Sequence, residues 1–289
     1  MKIRELFDKK TVFSFEIFPP KKTSSVDVIY KTLEELGDLS PDFISVTFSA
    51  GGSGNGSLSC EIASKIKDEY NITPMIHLPC INYTEDEILA VLNDLDKRGI
   101  ENILALRGDI NPDIEPKKHF RYASDLISFI KKHGDYDIAG ACYPEGHIET
   151  ENIVDDIKNL KHKVDMGADH LISQLFFDNN LFYSFLEKTA IAGINVPIEA
   201  GIMPVVNKNQ IERMVGMCGA SLPLKFVKIM QKFEHNPEAL RDAGIAYAID
   251  QIVDLVSSGV DGIHLYTMNN PYVARRISEA VSGIIGNSK

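Results

Sequence analysis

Eight times along this chain of 289 residues, a short apolar run rich in β-branched residues ends in polar residues and gives way to a helix-like stretch. Buried parallel strands read as nearly continuous apolar runs. The runs are Val12–Phe18, Phe43–Phe48, Thr73–Leu78, Asn102–Leu106, Asp137–Tyr143, His170–Phe177, Pro197–Met203 and Gly262–Thr267. Strand and helix alternate without a linker, low-complexity tract or composition shift, which requires a parallel sheet in a single domain spanning residues 1–289. A doubly wound open sheet is the structural rival. Eight units in this length favour closure into a (β/α)8 TIM barrel of the α/β class, and the first run lacks the G-x-G-x-x-G turn of a dinucleotide fold.

The helical stretches have their own punctuation. Val26–Leu39 carries apolar residues at Val26, Ile29, Leu33 and Leu36, and Thr84-Glu85-Asp86-Glu87 is a capping box ahead of a helix ended by Gly99. Further helices are expected at Tyr122–Lys132, Asn152–Met166, Leu181–Ala192 and Asn207–Cys218. The seventh connection is longer, with an extra helix at Leu224–Phe233 and a long one from Pro237 to Ser257, and the last helix runs from Tyr272 to Ile285.

Composition narrows the function classes. A formal net charge of −11 opposes nucleic acid, whose binding needs a basic surface, and opposes an electrostatic hold on anionic lipid. No apolar run approaches the roughly 20 residues that span a bilayer, and the charged N-terminus lacks the apolar core of a signal peptide. The expectation is therefore a cytoplasmic protein with no membrane contact. Cys60, Cys80, Cys142 and Cys218 show no C-x-x-C spacing and read as reduced, mostly buried thiols.

The ends of the runs bear on function. Glu16, Thr47, His77, Arg107-Gly108-Asp109, Tyr143-Pro144-Glu145-Gly146-His147 and Gln174 all close or follow strands. Such groups cost desolvation energy unless they serve a site, and in a barrel they converge on the face where the chemistry sits. Glu16, flanked by aromatics, is expected to have a raised pKa and to suit general acid catalysis. A salt bridge to a rim lysine is the alternative. Arg107 and Asp109 can hold an anion and face a cation, with Gly108 allowing close ligand approach; an Arg107–Asp109 ion pair is the alternative. The Gly-rich stretch Ser49–Ser57 could cradle phosphate or be a surface loop. Asp156, Asn159 and Lys163 share one helix face, which is either a ligand face or a solvated one. His77 and His147 have no companion ligands in metal spacing, so no metal is expected.

Taken together, these motifs resemble the methylenetetrahydrofolate reductases along essentially the whole chain. The resemblance is carried by Phe15-Glu16-Ile17-Phe18-Pro19-Pro20, Val46–Ser53, His77-Leu78-Pro79-Cys80, Ala105–Asp109, Tyr143–His147, Asn159–Asp169, Ser173–Asp178 and Gly201-Ile202-Met203-Pro204 in this order and spacing. It implies a barrel with FAD, rather than FMN, across its C-terminal face. The implied reaction is reduction of 5,10-methylenetetrahydrofolate to 5-methyltetrahydrofolate by ping-pong hydride transfer from NADH or NADPH. Glu16 matches the acid that opens the folate ring. Asp109 matches the carboxylate that favours the iminium cation, and Gln174 the amide that orients folate and nicotinamide in turn. Thr47, His77, Arg107, Gly108, Asp109, Tyr122, Ala123, Tyr143, His147, Asp156, Asn159 and Lys163 fall on flavin-binding positions. Gln210 falls on a substrate-contacting position, beside Glu16, Asp109 and Gln174. The family context further implies a place in one-carbon metabolism and methionine biosynthesis, a homo-oligomer, and a partner subunit of the kind used in anaerobes. Four positions depart from the pattern: Ser49 replaces a common glycine, Phe48 a tyrosine or tryptophan, His162 an arginine near the flavin phosphates, and Asn270 an arginine that touches folate in some members. A pterin-binding methyltransferase barrel without flavin, and a catalytically quiet barrel in a larger complex, are the rival readings.

Overall fold

The computed structural model describes residues 1–20, 25–48, 56–110, 115–207, 211, 214–216 and 218–286. Within them, β1 (Val12–Ile17), β2 (Phe43–Val46), β3 (Thr73–Pro79), β4 (Asn102–Leu106), β5 (Asp137–Cys142), β6 (His170–Ser173), β7 (Ile198–Ile202) and β8 (Gly262–Tyr266) form a closed parallel barrel in chain order. Closure is made by β1 pairing with β8, in the register Ser14↔His264 and Glu16↔Tyr266. The helices between strands are α1 (Asp27–Gly37), α2 (Gly56–Tyr70), α3 (Glu85–Arg98), α4 (Ala123–His133), α5 (Ile153–Asp165) and α6 (Asn179–Ile191). After β7 come α7 (Leu224–Phe233) and α8 (Pro237–Ser257), and α9 (Pro271–Ile285) ends the chain. The described residues of the 207–218 stretch are mostly helical. None of the described helices is long and apolar enough to cross a membrane.

Side chains alternate across each strand, and the two sides have different tasks. Phe13, Phe15 and Ile17 of β1, Ile44 and Val46 of β2, and Ile76 and Leu78 of β3 pack against the helices in the main core. On the other side, Val12, Phe43, Met75, Leu104, Ala139 and Ile172 meet Ile3, Leu6 and Phe7 inside the barrel. The N-terminal segment thus plugs the barrel at the N-terminal ends of the strands. It is tied there by Ile3 N donating to Asn102 Oδ1 at 3.0 Å, Arg4 N to Asp137 Oδ2 at 2.9 Å and Arg4 Nη1 to Asp169 Oδ1 at 2.7 Å. The barrel interior also carries polar groups: Ser14, Ser45, His77, His170, Glu199 and His264 are all buried, with His170 against Phe7 of the plug. Barrel interiors are usually filled by branched apolar residues, so this layer asks for a reason.

β6 stops at Ser173, four residues earlier than its apolar run suggests. Gln174 Oε1 accepts from Leu175 N, and Leu175 and Phe177 leave the sheet for a separate cluster with Met203, Ile211, Phe226, Met230 and Leu240. That cluster roots α7 and builds one wall of the C-terminal face. The other bounded elements that lie wholly within the described residues agree with the sequence reading to within a residue or two; the expected helix Asn207–Cys218 lies partly outside the described residues, and α2 has no bounds in that reading.

Asp137 sits at the plug with Oδ1 unpartnered, and burial pushes its carboxyl up to about 6. The unfolded carboxyl titrates near ~3.9. A folded pKa above the unfolded one means that the folded state holds the extra proton. The stabilising contribution is therefore complete below about pH 4 and is lost as pH rises through about 6. Asp137→Asn keeps an acceptor for Arg4 N and removes the titration. Urea unfolding of both proteins across this window should show the variant gaining up to about 3 kcal/mol on the parent as pH rises. Parallel pH slopes would mean that Asp137 does not titrate in this way.

Candidate functional site

Two adjoining cavities open at the C-terminal ends of the strands. The first, about 380 Å³, lies over the barrel axis and is lined by Glu16, Thr47, His77, Arg107, Gly108, Asp109, Tyr143, His147 and Gln174, among others. The second, about 560 Å³, lies between the starts of α4 and α5 and is lined by Arg107, Tyr122, Ala123, Tyr143, His147, Asp156, Asn159 and Lys163. Arg107, Tyr143 and His147 border both. Each volume falls in the roughly 300–1,000 Å³ range of small-molecule sites. Every site residue expected from the sequence lies on one of these cavities except Gln210, which is outside the described residues, as are residues 49–55 of the Gly-rich stretch.

Glu16 is the best-defined group. It shares a face of β1 with Ser14, two residues back, and ends on the cavity floor. Its Oε2 lies 3.6 Å from His77 Nε2 and 3.7 Å from His264 Nε2. No rim lysine pairs with it among the described residues. The expectation of a raised pKa is not met. Burial does push the carboxyl up, but the His264 and His77 imidazoles beside it outweigh burial and hold Glu16 below its ordinary value. The two imidazoles come from β3 and β8, remote in sequence, so local context could not reveal them. His77 is itself depressed to about 4 by burial. Both Nε2 atoms are buried without a hydrogen-bond partner, so Glu16 is faced by polar groups that the protein alone leaves unsatisfied.

Arg107 follows β4 and is held by Glu149, which accepts from Nη1 at 2.5 Å and from Nη2 at 2.8 Å. The expected alternative of an Arg107–Asp109 pair gives way to this bidentate pair, which leaves Asp109 exposed at the cavity edge. Gly108 has φ +87°, and a Cβ there would come within 2.9 Å of Pro79 Cβ. The glycine is therefore required by backbone conformation and by contact with β3, which is a different reason from ligand approach.

In the second cavity Asp156 is buried and accepts from Thr150 Oγ1 at 3.2 Å. On the face formed by Asp156, Asn159 and Lys163, Asp156 is buried, Lys163 half-buried and Asn159 exposed, and all three border the cavity. Lys163 Nζ donates to the Ala141 carbonyl at the end of β5. Ala123 begins α4, so the amides of that helix start open on the cavity, an arrangement that favours anions. Burial raises the Tyr143 phenol to about 12, and its ring meets His147 edge-on at 4.6 Å.

Several functional neighbours are not apparent in the sequence reading. His264, Tyr266, Met203 and Met268 complete the barrel cavity or its floor. Tyr266 OH donates to Ser173 O at 2.8 Å, and its ring occupies the space that a Cβ on Gly201 would fill. The signal available was a polar residue, His264, inside the apolar run Gly262–Tyr266. Met268 and Asn269 adopt φ of 52° and 53°, a strained conformation for residues with side chains. Asn269 clamps Phe18 through both backbone groups, and Thr267 Oγ1 donates to Glu16 O at 2.6 Å. Asn270, where some relatives have arginine, caps α9 by accepting from Val273 N.

The family model described as methylenetetrahydrofolate reductase matches residues 2–282. The 5,10-methylenetetrahydrofolate reductase of Escherichia coli K12 is 36% identical over 256 residues, covering 89% of this chain and 86% of that protein. Methylenetetrahydrofolate reductase (NADH) 1 of Arabidopsis thaliana is 36% identical over 275 residues, covering 90% of this chain and 46% of the plant protein. The chain thus spans less than half of the plant relative's length and most of the bacterial one's. Among solved structures, an uncharacterized Clostridium thermocellum protein that binds two copies of 5-methyl-5,6,7,8-tetrahydrofolic acid superposes with a TM-score of 0.66 at 15% identity. It covers 98% of this chain and 99% of that one, a likeness of fold. The match over nearly the whole barrel, together with the relatives' identity, makes this chain a member of the methylenetetrahydrofolate reductase family.

Proposed function

We propose that the chain reduces 5,10-methylenetetrahydrofolate to 5-methyltetrahydrofolate in a ping-pong cycle, with FAD as the hydride carrier and reduced pyridine nucleotide as the donor. The observation that carries this reading is the joint lining of one cavity by Glu16, Asp109 and Gln174, beside a second cavity furnished with Arg107, His147, Asn159 and Lys163. Family membership supports the same reaction.

The residues fit FAD. The second cavity offers a guanidinium, an amine, an amide and the open start of α4 to a diphosphate. The first presents the buried, unsatisfied His77 Nε2 and the half-buried Arg107 at its floor and edge. Thr47, His77, Arg107, Gly108, Asp109, Tyr122, Ala123, Tyr143, His147, Asp156, Asn159 and Lys163 are the residues that would hold it. The chemistry FAD supplies when bound is hydride transfer, which no side chain performs.

The protein's own groups supply the rest. Glu16 delivers a proton to the leaving amine as the five-membered folate ring opens. It is ionised in the open site, so it acts as an acid only after taking up a proton. Covering by ligand desolvates it and raises its proton affinity. Asp109 offers a carboxylate to the cation formed by ring opening, an interaction that exists only on the way to the transition state. Gln174, with Oε1 committed to Leu175 N, has its amide NH₂ available to orient a carbonyl.

Four measurements test this reading. Visible flavin absorbance in the purified protein, bleached by NADH and restored by methylenetetrahydrofolate, is the expected signature; a colourless protein that still binds folate would favour a flavin-free methyltransferase barrel. Glu16→Gln should spare bleaching by NADH and slow folate reduction by about 10²–10⁴-fold, with unaltered folate turnover removing Glu16 from the chemistry. Asp109→Asn should slow the folate half-reaction more than the flavin one and raise the flavin midpoint potential, because a negative charge near reduced flavin is removed. Equal slowing of both half-reactions at constant potential would leave Asp109 a structural role. For the second cavity, Lys163→Glu should weaken FAD binding to the apoprotein in fluorescence-quenching titrations, and an unchanged affinity would move the diphosphate elsewhere.

A further inference from the structure

Beneath Glu16 the barrel interior holds a line of polar groups that the reaction so far leaves unused. Ser14 Oγ lies 2.7 Å from His264 Nδ1 and 2.8 Å from Glu199 Oε2. The far nitrogen of the same imidazole, Nε2, is 3.7 Å from Glu16 Oε2. Glu199, Ser14 and His264 are each fully buried, and Glu199 Oε1 has no hydrogen-bond partner. Glu199 stands on β7 opposite Gly262 of β8, and a Cβ on Gly262 would come within 2.8 Å of Glu199 Cγ. The missing side chain at 262 opens the path by which the carboxyl reaches across β8 to Ser14 on β1.

Among the described residues, a carboxyl so placed has no cation paired with it. The charged groups facing it are Asp42 before β2, Asp261 before β8 and Asp137 on β5, all acidic, and its one hydrogen-bonded contact is neutral Ser14. Burial, reinforced by these carboxylates, raises Glu199 well above the ordinary carboxylate range and so favours its protonated form. Glu16 is faced by His77 of β3 and by His264 and Tyr266 of β8, and it is held low. One end of the line favours its protonated form and the other its ionised form.

We propose that Glu199 is a proton reservoir for Glu16, joined to it through Ser14 and His264 inside the barrel. The Glu199 carboxyl proton passes to Ser14 Oγ while the Ser14 hydroxyl proton passes to His264 Nδ1 and the His264 Nε2 proton passes to Glu16. Glu199 becomes a carboxylate, Glu16 becomes a carboxylic acid, and Ser14 and His264 end neutral. Glu16 then gives the proton to the leaving amine, and Glu199 regains one by the reverse route when the site reopens to water. The device has a physical use, because ligands stacked on the C-terminal face close off solvent and leave the interior as the side from which Glu16 can be charged. Glu199 does not touch substrate and acts through Glu16, so it is a positioning and proton-supplying residue.

This inference rests on the role given to Glu16 above, and its test separates the two. Flavin-loaded protein is reduced with dithionite and mixed with methylenetetrahydrofolate across a pH series, for wild type, Glu199→Gln, Ser14→Ala and Glu16→Gln. Glu199→Gln keeps the shape and removes the transferable proton. It should slow flavin reoxidation by about 10-fold or more while staying above the ~10²–10⁴-fold loss of the acid itself. Its rate should also fall steadily as pH rises, where wild type stays level, because Glu16 must then draw its proton from solvent. Ser14→Ala should give the same profile, and it carries the test alone if Glu199→Gln does not fold. Flavin reduction by NADH should be unchanged in both. Wild-type rates and pH profiles in both variants, with Glu16→Gln inactive, would overturn the reservoir and leave Glu16 as the acid. Equal slowing of both half-reactions at every pH would reduce Glu199 to a packing role. Folate turnover by Glu16→Gln at the wild-type rate would overturn the reading of Glu16 itself.

Discussion

The pairing of β8 with β1 is the constraint on which the site depends. It brings Val12–Glu16 into register with Gly262–Tyr266 and closes the sheet. Closure removes the open edges that a parallel sheet otherwise exposes. It also sets His264 beside Ser14 and places the imidazole next to Glu16. An open sheet with the same strands would leave Glu16 with His77 alone at best. The clamp of Asn269 on Phe18 and the hydroxyl of Thr267 on the Glu16 carbonyl secure the same seam beyond the last ladder bond.

Closure creates an interior that has to be filled, and this chain fills it in two ways. At the N-terminal ends of the strands, apolar side chains from the first residues of the chain act as a plug. Nearer the C-terminal face, the interior carries hydroxyl, imidazole and carboxyl groups. Such groups cost free energy to bury, and several of their atoms are unsatisfied in the protein alone. Apolar replacements would pack better, so the polar layer is best explained by chemistry. Its contacts reach up to Glu16, directly below the cavity.

The C-terminal face divides the labour along the barrel. The axis cavity collects the groups suited to proton and cation handling, and the side cavity between α4 and α5 collects those suited to an anionic cofactor arm. Arg107, Tyr143 and His147 stand on the boundary and border both. Glu149 caps Arg107 in the protein itself, so a phosphate that takes this guanidinium must displace a bidentate carboxylate. The acidic surface, with its net charge of −11, gives no broad attraction to a phosphate. Local donors have to supply it.

Sequence alone determined the strand and helix order, the barrel and the rim residues. Each of these is written locally: in apolar runs, in caps such as Thr84 and Gly99, and in polar residues at strand ends. Those features need only nearest neighbours along the chain to act. Tertiary structure decided which groups face one another, and so it decided the charge states. Glu16 reads from its aromatic neighbours as a raised acid, but His77 and His264, brought in by β3 and β8, hold it low. Arg107 reads as a partner for Asp109, but the loop after β5 supplies Glu149. Glu199 and Ser14 are far apart in the chain, yet the closed barrel brings one against the other across β8. Electrostatic energies depend on distance and burial, and both are properties of the closed barrel, which no local stretch of the chain contains.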